Sequence, residues 1–451
     1  TMTMTMHIAI DGFNIAMPRG TGVATYGRML AKTLAGAGHT VDGIFGLTIN
    51  RASPELLREV QFFDGLAKEE GRRAPVIGSE RWFSELSLRF RPIEAATIPL
   101  SGRVETRGFA NRLPVFDRVL NAADLFDVAH RHFRATGKFL RLRVPGAVPQ
   151  IMHWTYPLPL LLEGARNVYT LHDLVPLRLP YTTLDNKRTY LRLLHGCVRH
   201  ADHLCTVSES SRRDIIDMLN VAPDRVTNTY QTSELAATPT ETAGAAEFTA
   251  WLNGLFGLEP NKYLLFYGAL EPKKNIGRIV EACLSVQLPM PLVIVGGRAW
   301  KSESELRLLQ AGPDGVRNER ARGAVRQLEY VPASWLSGLV RGARAVVFPS
   351  LAEGFGLPVL EALQQGIPVL TSHEGSLPEV GGDAVLLADA YDAAAIGAAM
   401  QRLATDDELH RRLSLAGPAQ AERFSPAAYI ARLSELYATI LARPPSTFHA
   451  S

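Results

Sequence analysis

The stretch PSLAEGFGLPVLEALQQG, residues 349–366, sets two carboxylates, Glu353 and Glu361, eight positions apart around a turn of Gly354, Phe355 and Gly356. It follows the strand-like ARAVVF, and Pro358 suits the first position of a helix, where its missing N–H would be unpaired anyway. Glycines 354 and 356 let a ligand approach backbone N–H groups with no Cβ in the way, a geometry that suits a phosphate. The spacing puts Glu361 in the first helical turn and Glu353 in the loop before it, so the two can grip different parts of one ligand. A second stretch, YGALEPKKNIGRIVEAC, puts Lys273 and Lys274 in the loop between a strand and a helix. Paired ammonium groups beside helix-terminal amides form an anion site. Taken singly, each stretch also allows a plainer reading: an exposed basic turn, a helix-dipole partner, a solvated loop carboxylate.

These groups need strands to position them. Short buried-type strands alternate with helical stretches in both halves of the chain: HIAI, NVYTLH, HLCTVS and RVTNTY in the first, and KYLLFYG, PLVIVGG, RQLEYV, ARAVVFPS, IPVLTS and AVLLAD in the second. TYGRMLAKTLAGAG and SRRDIIDML read as helices of the first half, and SPAAYIARLSELYATIL as a closing helix. The pattern predicts two parallel α/β sheets covered by helices on both faces. QTSELAATPTETAGAAE, residues 231–247, is polar, lacks a period and reads as the connection between them. Ligands of such sheets sit beyond the carboxyl ends of the strands, so facing sheets make a cleft where these side chains meet.

The chain has 451 residues, which exceeds one ordinary core and predicts two domains. Hydrophobic residues make up 46% and charged residues 21%, the balance of a globular protein rather than a disordered one. Three scattered cysteines exclude a disulfide framework or a CxxC metal site and point to a reducing compartment. The opening TMTMTM lacks a basic region and runs straight into HIAI, so it reads as an appended leader before a start at Met6 rather than a signal peptide. No apolar run is long enough to span a membrane. Formal charge is only +3, yet Arg72 to Arg143 carries 14 Lys or Arg against 7 Asp or Glu, among aromatics such as Trp82, Phe83, Phe90, Phe109, Phe116, Phe133 and Phe139. That segment reads either as a solvated face or as a patch for anionic lipid or an anionic, lipid-linked acceptor. No nucleic-acid motif accompanies the charge.

EGFGLPVLE matches the E-x7-E motif of the retaining glycosyltransferases of family four, and FPS…EGFGLPVLEALQQGIPVL resembles that family over its nucleotide-binding segment. GTGVATYGRMLAKTLAGAGH is similar to its glycine loop (Gly20, Thr21, Gly22) and first helix, and YTLHDLVPL to its histidine loop. TVSESSRRDI resembles its strand and capped helix, YGALEPKKN its phosphate loop, and SLPEVGGDAVLLAD its closing strand and turn. Residues 50–125 carry no motif of the set.

The resemblance implies a GT-B fold: a Rossmann-like acceptor domain over about 6–240, a nucleotide-sugar domain over about 250–425, and a final helix near 426–443 that packs back on the first domain. It implies sugar transfer from a nucleotide diphosphate sugar with retention, no cofactor and no required metal. Glu361 would accept hydrogen bonds from ribose hydroxyls, and Glu353, beside Gly354 and Phe355, from the donor sugar. The amides of Phe355, Gly356 and Leu357 would lie near the diphosphate, which Lys274 with Lys273 would neutralise, and His172 would sit near sugar and acceptor. GDP-mannose is the leading donor. A saccharide or lipid-linked oligosaccharide is the expected acceptor, in polysaccharide or lipopolysaccharide synthesis, at a cytoplasmic or inner-membrane location.

Two departures stand out: Ala269 where many members have arginine, and TYQTSE where members commonly read NG. A dehydrogenase would need GxGxxG directly after the first strand, which DGFNIAMPRGTGVA lacks. A glycosidase has no use for a phosphate-type turn between its carboxylates. A nucleotide-sugar epimerase, another GT-B enzyme and a non-catalytic partner subunit remain the alternatives.

Overall fold

Short runs of β-branched and aromatic residues, too apolar to face water on either side, become the central strands of two parallel sheets. The structure is a computed structural model, and it describes residues 5–16, 22–50, 52–67, 91–110, 113–183, 186–235, 244–297, 306–309 and 323–444. The first sheet has eight strands in the order Val226–Asn228, His203–Thr206, Arg166–Thr170, Ile151–Trp154, His7–Asp11, Thr40–Phe45, Arg118–Asn121 and Ala96–Ile98. Only the last pair is antiparallel. The second sheet is parallel throughout, in the order Val325–Leu328, Leu292–Val295, Leu264–Tyr267, Ala345–Phe348, Val369–Ser372 and Leu386–Ala388. A three-stranded parallel sheet, Ile93–Glu94, Leu140–Arg143 and Leu160–Leu162, flanks the first. All ten strands expected from the sequence are present, within a GT-B-like α/β architecture.

In the second sheet the order reverses between Leu264–Tyr267 and Ala345–Phe348. Parallel sheets leave a crevice at such a switch point, beyond the carboxyl ends of the two strands. The loop carrying Lys273 and Lys274 leaves the first of these strands, and the loop carrying Glu353 leaves the second. In the first sheet the reversal falls between His7–Asp11 and Ile151–Trp154, so Asp11 and Thr155 stand at its crevice.

The closing helix, Pro426–Ala442, begins with Ser425, whose side chain accepts from the amide of Ala428, and it returns to the first half. The Tyr437 hydroxyl reaches Nδ1 of His153 at 2.6 Å. Nε2 of the same ring meets Thr170 Oγ1 at 2.7 Å, and Tyr26 lies 2.9 Å from that threonine hydroxyl. Two central aromatics, Tyr429 and Tyr437, are fully buried there.

The connection read at residues 231–247 is less solvated than its composition indicates. Gln231, Thr232 and Ser233 are buried, and a helix begins at Ala245. In the basic segment, Phe116, Phe133 and Phe139 belong to the core, Arg118 pairs with Asp42 at 2.6 Å, Arg107 with Glu105 and Arg141 with Glu163. Arg72, Trp82, Phe83 and Phe90 lie outside the described residues. Among the described residues no helix is long and apolar enough to cross a membrane.

Candidate active site

Lys274 is set by a short 3-10 turn, Pro272–Lys274, ended by Asn275 at φ +66. The Asn275 side chain is buried and donates to the carbonyls of Pro349 and Ala390 at 2.9 and 2.7 Å, which ties the lysine loop to the loop that precedes Glu353. Lys274 Nζ then reaches Glu353 Oε1 at 2.6 Å and lies 4.9 Å from the centre of the Phe348 ring. Both side chains are largely shielded, at 14% and 9% exposed, so this pair keeps more of its Coulomb energy than a surface pair does. Lys273 stands beside it. Burial alone would lower the pKa of its ammonium, but the carboxylates of Asp173, Glu353 and Glu271 outweigh that and hold it above the usual lysine range.

Glu361 is the fifth residue of the helix Leu357–Gln364, so it sits in the second turn, not the first. Its two oxygens accept from Ser233 at 2.7 Å and from Tyr267 at 2.8 Å. Burial raises its pKa, against the lowering effect of those two hydroxyls. Gln364 from the same helix donates to the Ser233 carbonyl at 2.7 Å and so fixes the connecting segment that brings this serine in.

The turn between the carboxylates is shaped by its surroundings as much as by its glycines. Gly356 has φ +100, which only glycine adopts readily, and opens the helix as its N-cap. A Cβ on Gly354 would come within 2.7 Å of the His172 carbonyl and 3.1 Å of Asp173 Oδ2. The space that the sequence reserves for a ligand at Gly354 is therefore filled by the histidine loop of the other half. Phe355 is 2% exposed and packs edge-on to Phe424 at 5.4 Å and to Tyr230 at 6.5 Å. Leu357 begins the helix, and a Cβ on Gly22 would lie 3.6 Å from its Cδ1, so the end of the glycine loop faces the start of this helix. Gly20 and Thr21 lie outside the described residues.

His172 follows the strand Arg166–Thr170 and donates Nε2–H to the Thr155 carbonyl at 2.7 Å, leaving Nδ1 as the ring's acceptor. Tyr26 meets the ring edge-on at 4.7 Å. Burial depresses its pKa, against the Thr155 carbonyl and the Asp173 carboxylate. Asp11, which no motif singled out, takes hydrogen bonds from the Thr155 amide and hydroxyl and from the Phe13 amide. Burial lifts its pKa to about 6.

Polar contacts fasten the two halves over this site. Glu379 accepts from the amides of Glu209 and Ser210, both at 3.0 Å, at the start of the helix Glu209–Leu219, and from the Tyr230 hydroxyl at 3.2 Å. A carboxylate there meets the positive end of the helix dipole. Ser211 Oγ donates to the His172 carbonyl at 2.9 Å and lies 3.5 Å from that of Gly354. Lys274, Lys273, Glu353, Glu361 and the histidine loop are thus brought to one cleft. Ser233, Tyr267, Asp11, Asn275 and Glu379 are the members that sequence reasoning missed. Only Asn275, directly after the lysine pair, carried a local signal.

Residues 256–420 match the profile described as "Glycosyl transferases group 1", and residues 21–229 match that of a "Glycosyl transferase 4-like domain". The chain is 36% identical over 273 residues to the O-antigen chain mannosyltransferase B of Escherichia coli, across 59% of this chain and 68% of that one. It is 29% identical over 271 residues to the serotype-specific mannosyltransferase WbdA of Escherichia coli, across 58% of this chain but only 32% of that longer protein. Among solved structures, the sucrose-phosphate synthase of Thermosynechococcus elongatus superposes with a TM-score of 0.64 at 19% identity, covering 96% of this chain and 99% of that one.

Proposed function

This chain is a member of the group 1 glycosyltransferases, retaining enzymes of GT-B fold, and from that premise we propose that it transfers mannose from GDP-mannose to a saccharide or lipid-linked oligosaccharide acceptor. The synthesis served is that of a surface polysaccharide or lipopolysaccharide. The likeness to mannosyltransferases supports the sugar. The observation that carries the chemistry is the shielded Lys274–Glu353 pair at the switch point, with Glu361 held apart from it by Ser233 and Tyr267.

In this reading Glu361 accepts hydrogen bonds from the ribose hydroxyls, since each carboxylate oxygen keeps a lone pair beyond its present partner. Glu353 accepts from hydroxyls of the donor sugar. Breaking the anomeric bond builds positive charge on the sugar and negative charge on the diphosphate, so Lys274, Lys273 and the amides of Phe355, Gly356 and Leu357 lower the barrier by facing that leaving group. The acceptor oxygen bonds to the anomeric carbon on the face from which the diphosphate departs, and its proton passes to a phosphate oxygen. His172, neutral and oriented by Thr155, lines the sugar side. In this reading Lys274, Lys273 and the helix amides balance the charge of the leaving diphosphate without a metal ion.

Thermal-shift titration against UDP, GDP, dTDP and ADP sugars tests the donor. GDP-mannose at 100 times its dissociation constant stabilises by about 2.7 kcal/mol, and preference for another base overturns the assignment. The basic excess between Arg72 and Arg143 supports peripheral attachment to the anionic, cytoplasmic face of a membrane. Co-sedimentation with anionic vesicles that falls with salt is the expected result, and no binding at low salt removes that part.

A further inference from the structure

A cavity of about 190 Å³ opens between the two halves on the flank of Glu353, and apart from that donor-sugar carboxylate its wall has been given no role. The first half supplies Asp173, Arg178 and Asp214 to its wall, and the second supplies Glu374 and Tyr391. Its size is below the roughly 300 Å³ at which pockets begin to hold drug-sized ligands, so it takes a single ring rather than a nucleotide.

Its walls are built for hydroxyl groups. One Arg178 nitrogen reaches both oxygens of Asp214, at 3.1 and 3.0 Å, leaving the rest of the guanidinium to donate elsewhere. Asp173 Oδ1 is taken by the Val175 amide, while Oδ2 faces Gly354. Lys274 already answers Glu353, and Lys273 stands by Asp173, so the carboxylates of Asp214 and Glu374 face the one guanidinium of Arg178. That excess repels a phosphate or a uronate and suits a ligand whose polar groups are donors.

The edge of the cavity is aromatic. Tyr391 is 48% exposed, and burial, followed by the neighbouring Tyr181, which is 63% exposed and comes from the opposite half, raises the pKa of its hydroxyl. The Arg278 guanidinium lies over the Tyr391 ring, 5.2 Å from its centre. Exposed rings cost apolar hydration unless something covers them, and the apolar C–H face of a sugar ring does so.

We infer that this cavity is the subsite for a neutral sugar ring of the acceptor, gripped at its hydroxyls by Arg178, Asp214 and Glu374 and covered at its face by Tyr181 and Tyr391. The inference rests on the glycosyl-transfer reading and adds the acceptor's chemical class. Because the rim comes from both halves, the acceptor is held only when the cleft is closed.

Ligand-observed NMR with a neutral mannose disaccharide, in the presence of GDP, reads binding without needing turnover. Wild type shows saturation transfer to the disaccharide. The double variant Tyr181→Ala, Tyr391→Ala weakens it at least tenfold while the affinity for GDP-mannose is unchanged, and Arg178→Ala does the same with both tyrosines intact. A phosphorylated disaccharide binds more weakly than the neutral one. Unchanged disaccharide binding in the variants, tighter binding of the phosphorylated form, or a loss of GDP-mannose affinity in the tyrosine variant overturns the subsite. Failure of GDP-mannose to bind wild type, with disaccharide binding still dependent on the tyrosines, instead overturns the donor assignment alone.

Discussion

The Tyr437 hydroxyl lies 2.6 Å from Nδ1 of His153, a residue 284 positions earlier in the chain. Burial drives the His153 pKa down to about 3, so the ring is neutral and needs one donor and one acceptor, which the Tyr437 and Thr170 hydroxyls supply. Tyr437→Phe leaves a buried ring nitrogen unpaired, at a cost of about 1–3 kcal/mol. Urea unfolding monitors this, with nucleotide affinity retained in the variant.

Asp11 and His153 pull the pH dependence of stability in opposite directions. The Asp11 pKa, raised to about 6, gives a contribution that is full below its unfolded value and lost as pH rises through 6. The His153 pKa, lowered to about 3, gives one that is full above its unfolded value near 6.5 and lost as pH falls toward 3. Asp11→Asn deletes the first and leaves the second. Its unfolding midpoint therefore falls more steeply between pH 6 and pH 4 than that of wild type, and parallel curves refute the assignment.

Glu361→Ala weakens binding of the free nucleotide diphosphate, by roughly 1.5–3 kcal/mol for one charge-assisted hydrogen bond. Glu353→Ala leaves free-nucleotide affinity nearly intact and impairs binding or turnover of the full nucleotide sugar. Calorimetric titration of both ligands separates the two, and equal losses of free-nucleotide affinity overturn the division of labour.

Lys274→Ala lowers turnover by about two to three powers of ten, the scale of removing one transition-state donor. It also leaves the Glu353 carboxylate without the cation now 2.6 Å away. Transfer survives EDTA in wild type. Loss of all activity with EDTA and its rescue by manganese would falsify charge neutralisation by lysine and amides.

Glu379→Ala removes the carboxylate that joins the two amides of the helix Glu209–Leu219 to the opposite half. The helix-dipole contribution of such a group is about 0.3–1 kcal/mol, enough to shift a near-balanced opening but not to unfold the protein. Small-angle scattering records a larger radius of gyration for the variant. An unchanged profile shows that other contacts hold the cleft shut.

The second half was the more legible in the sequence. Its strands are continuous apolar runs such as LLFY and AVVF, buried on both faces, and Lys273, Lys274 and Glu353 sit in the loops that follow these two. The strand Thr40–Phe45 escaped notice because TVDGIF puts an acid and a glycine mid-strand. Asp42 is tolerated there only because His7 and Arg118, far away in sequence, reach it at 2.7 and 2.6 Å. Glu353, Glu361 and Lys274 were visible as a spaced set. Ser233 and Tyr267 were not, since a serine in a polar connection and a tyrosine in a strand gain meaning only when Glu361 is placed between them. The apparent openness at Gly354 misled for the same reason: what occupies the space comes from the other half.

The chain passes between the halves after Tyr230 and again near Phe424, and the rings of these two residues are 5.1 Å apart. Two neighbouring crossings act as the spine of a book: they permit rotation about one line and resist both twisting and sliding. The separation between the Lys274 loop and the histidine loop is then governed by one angle. A cleft that opens on a single axis returns its two walls to the same register at each closure, so a donor held by one wall and an acceptor held by the other meet at a reproducible distance without either wall being rebuilt.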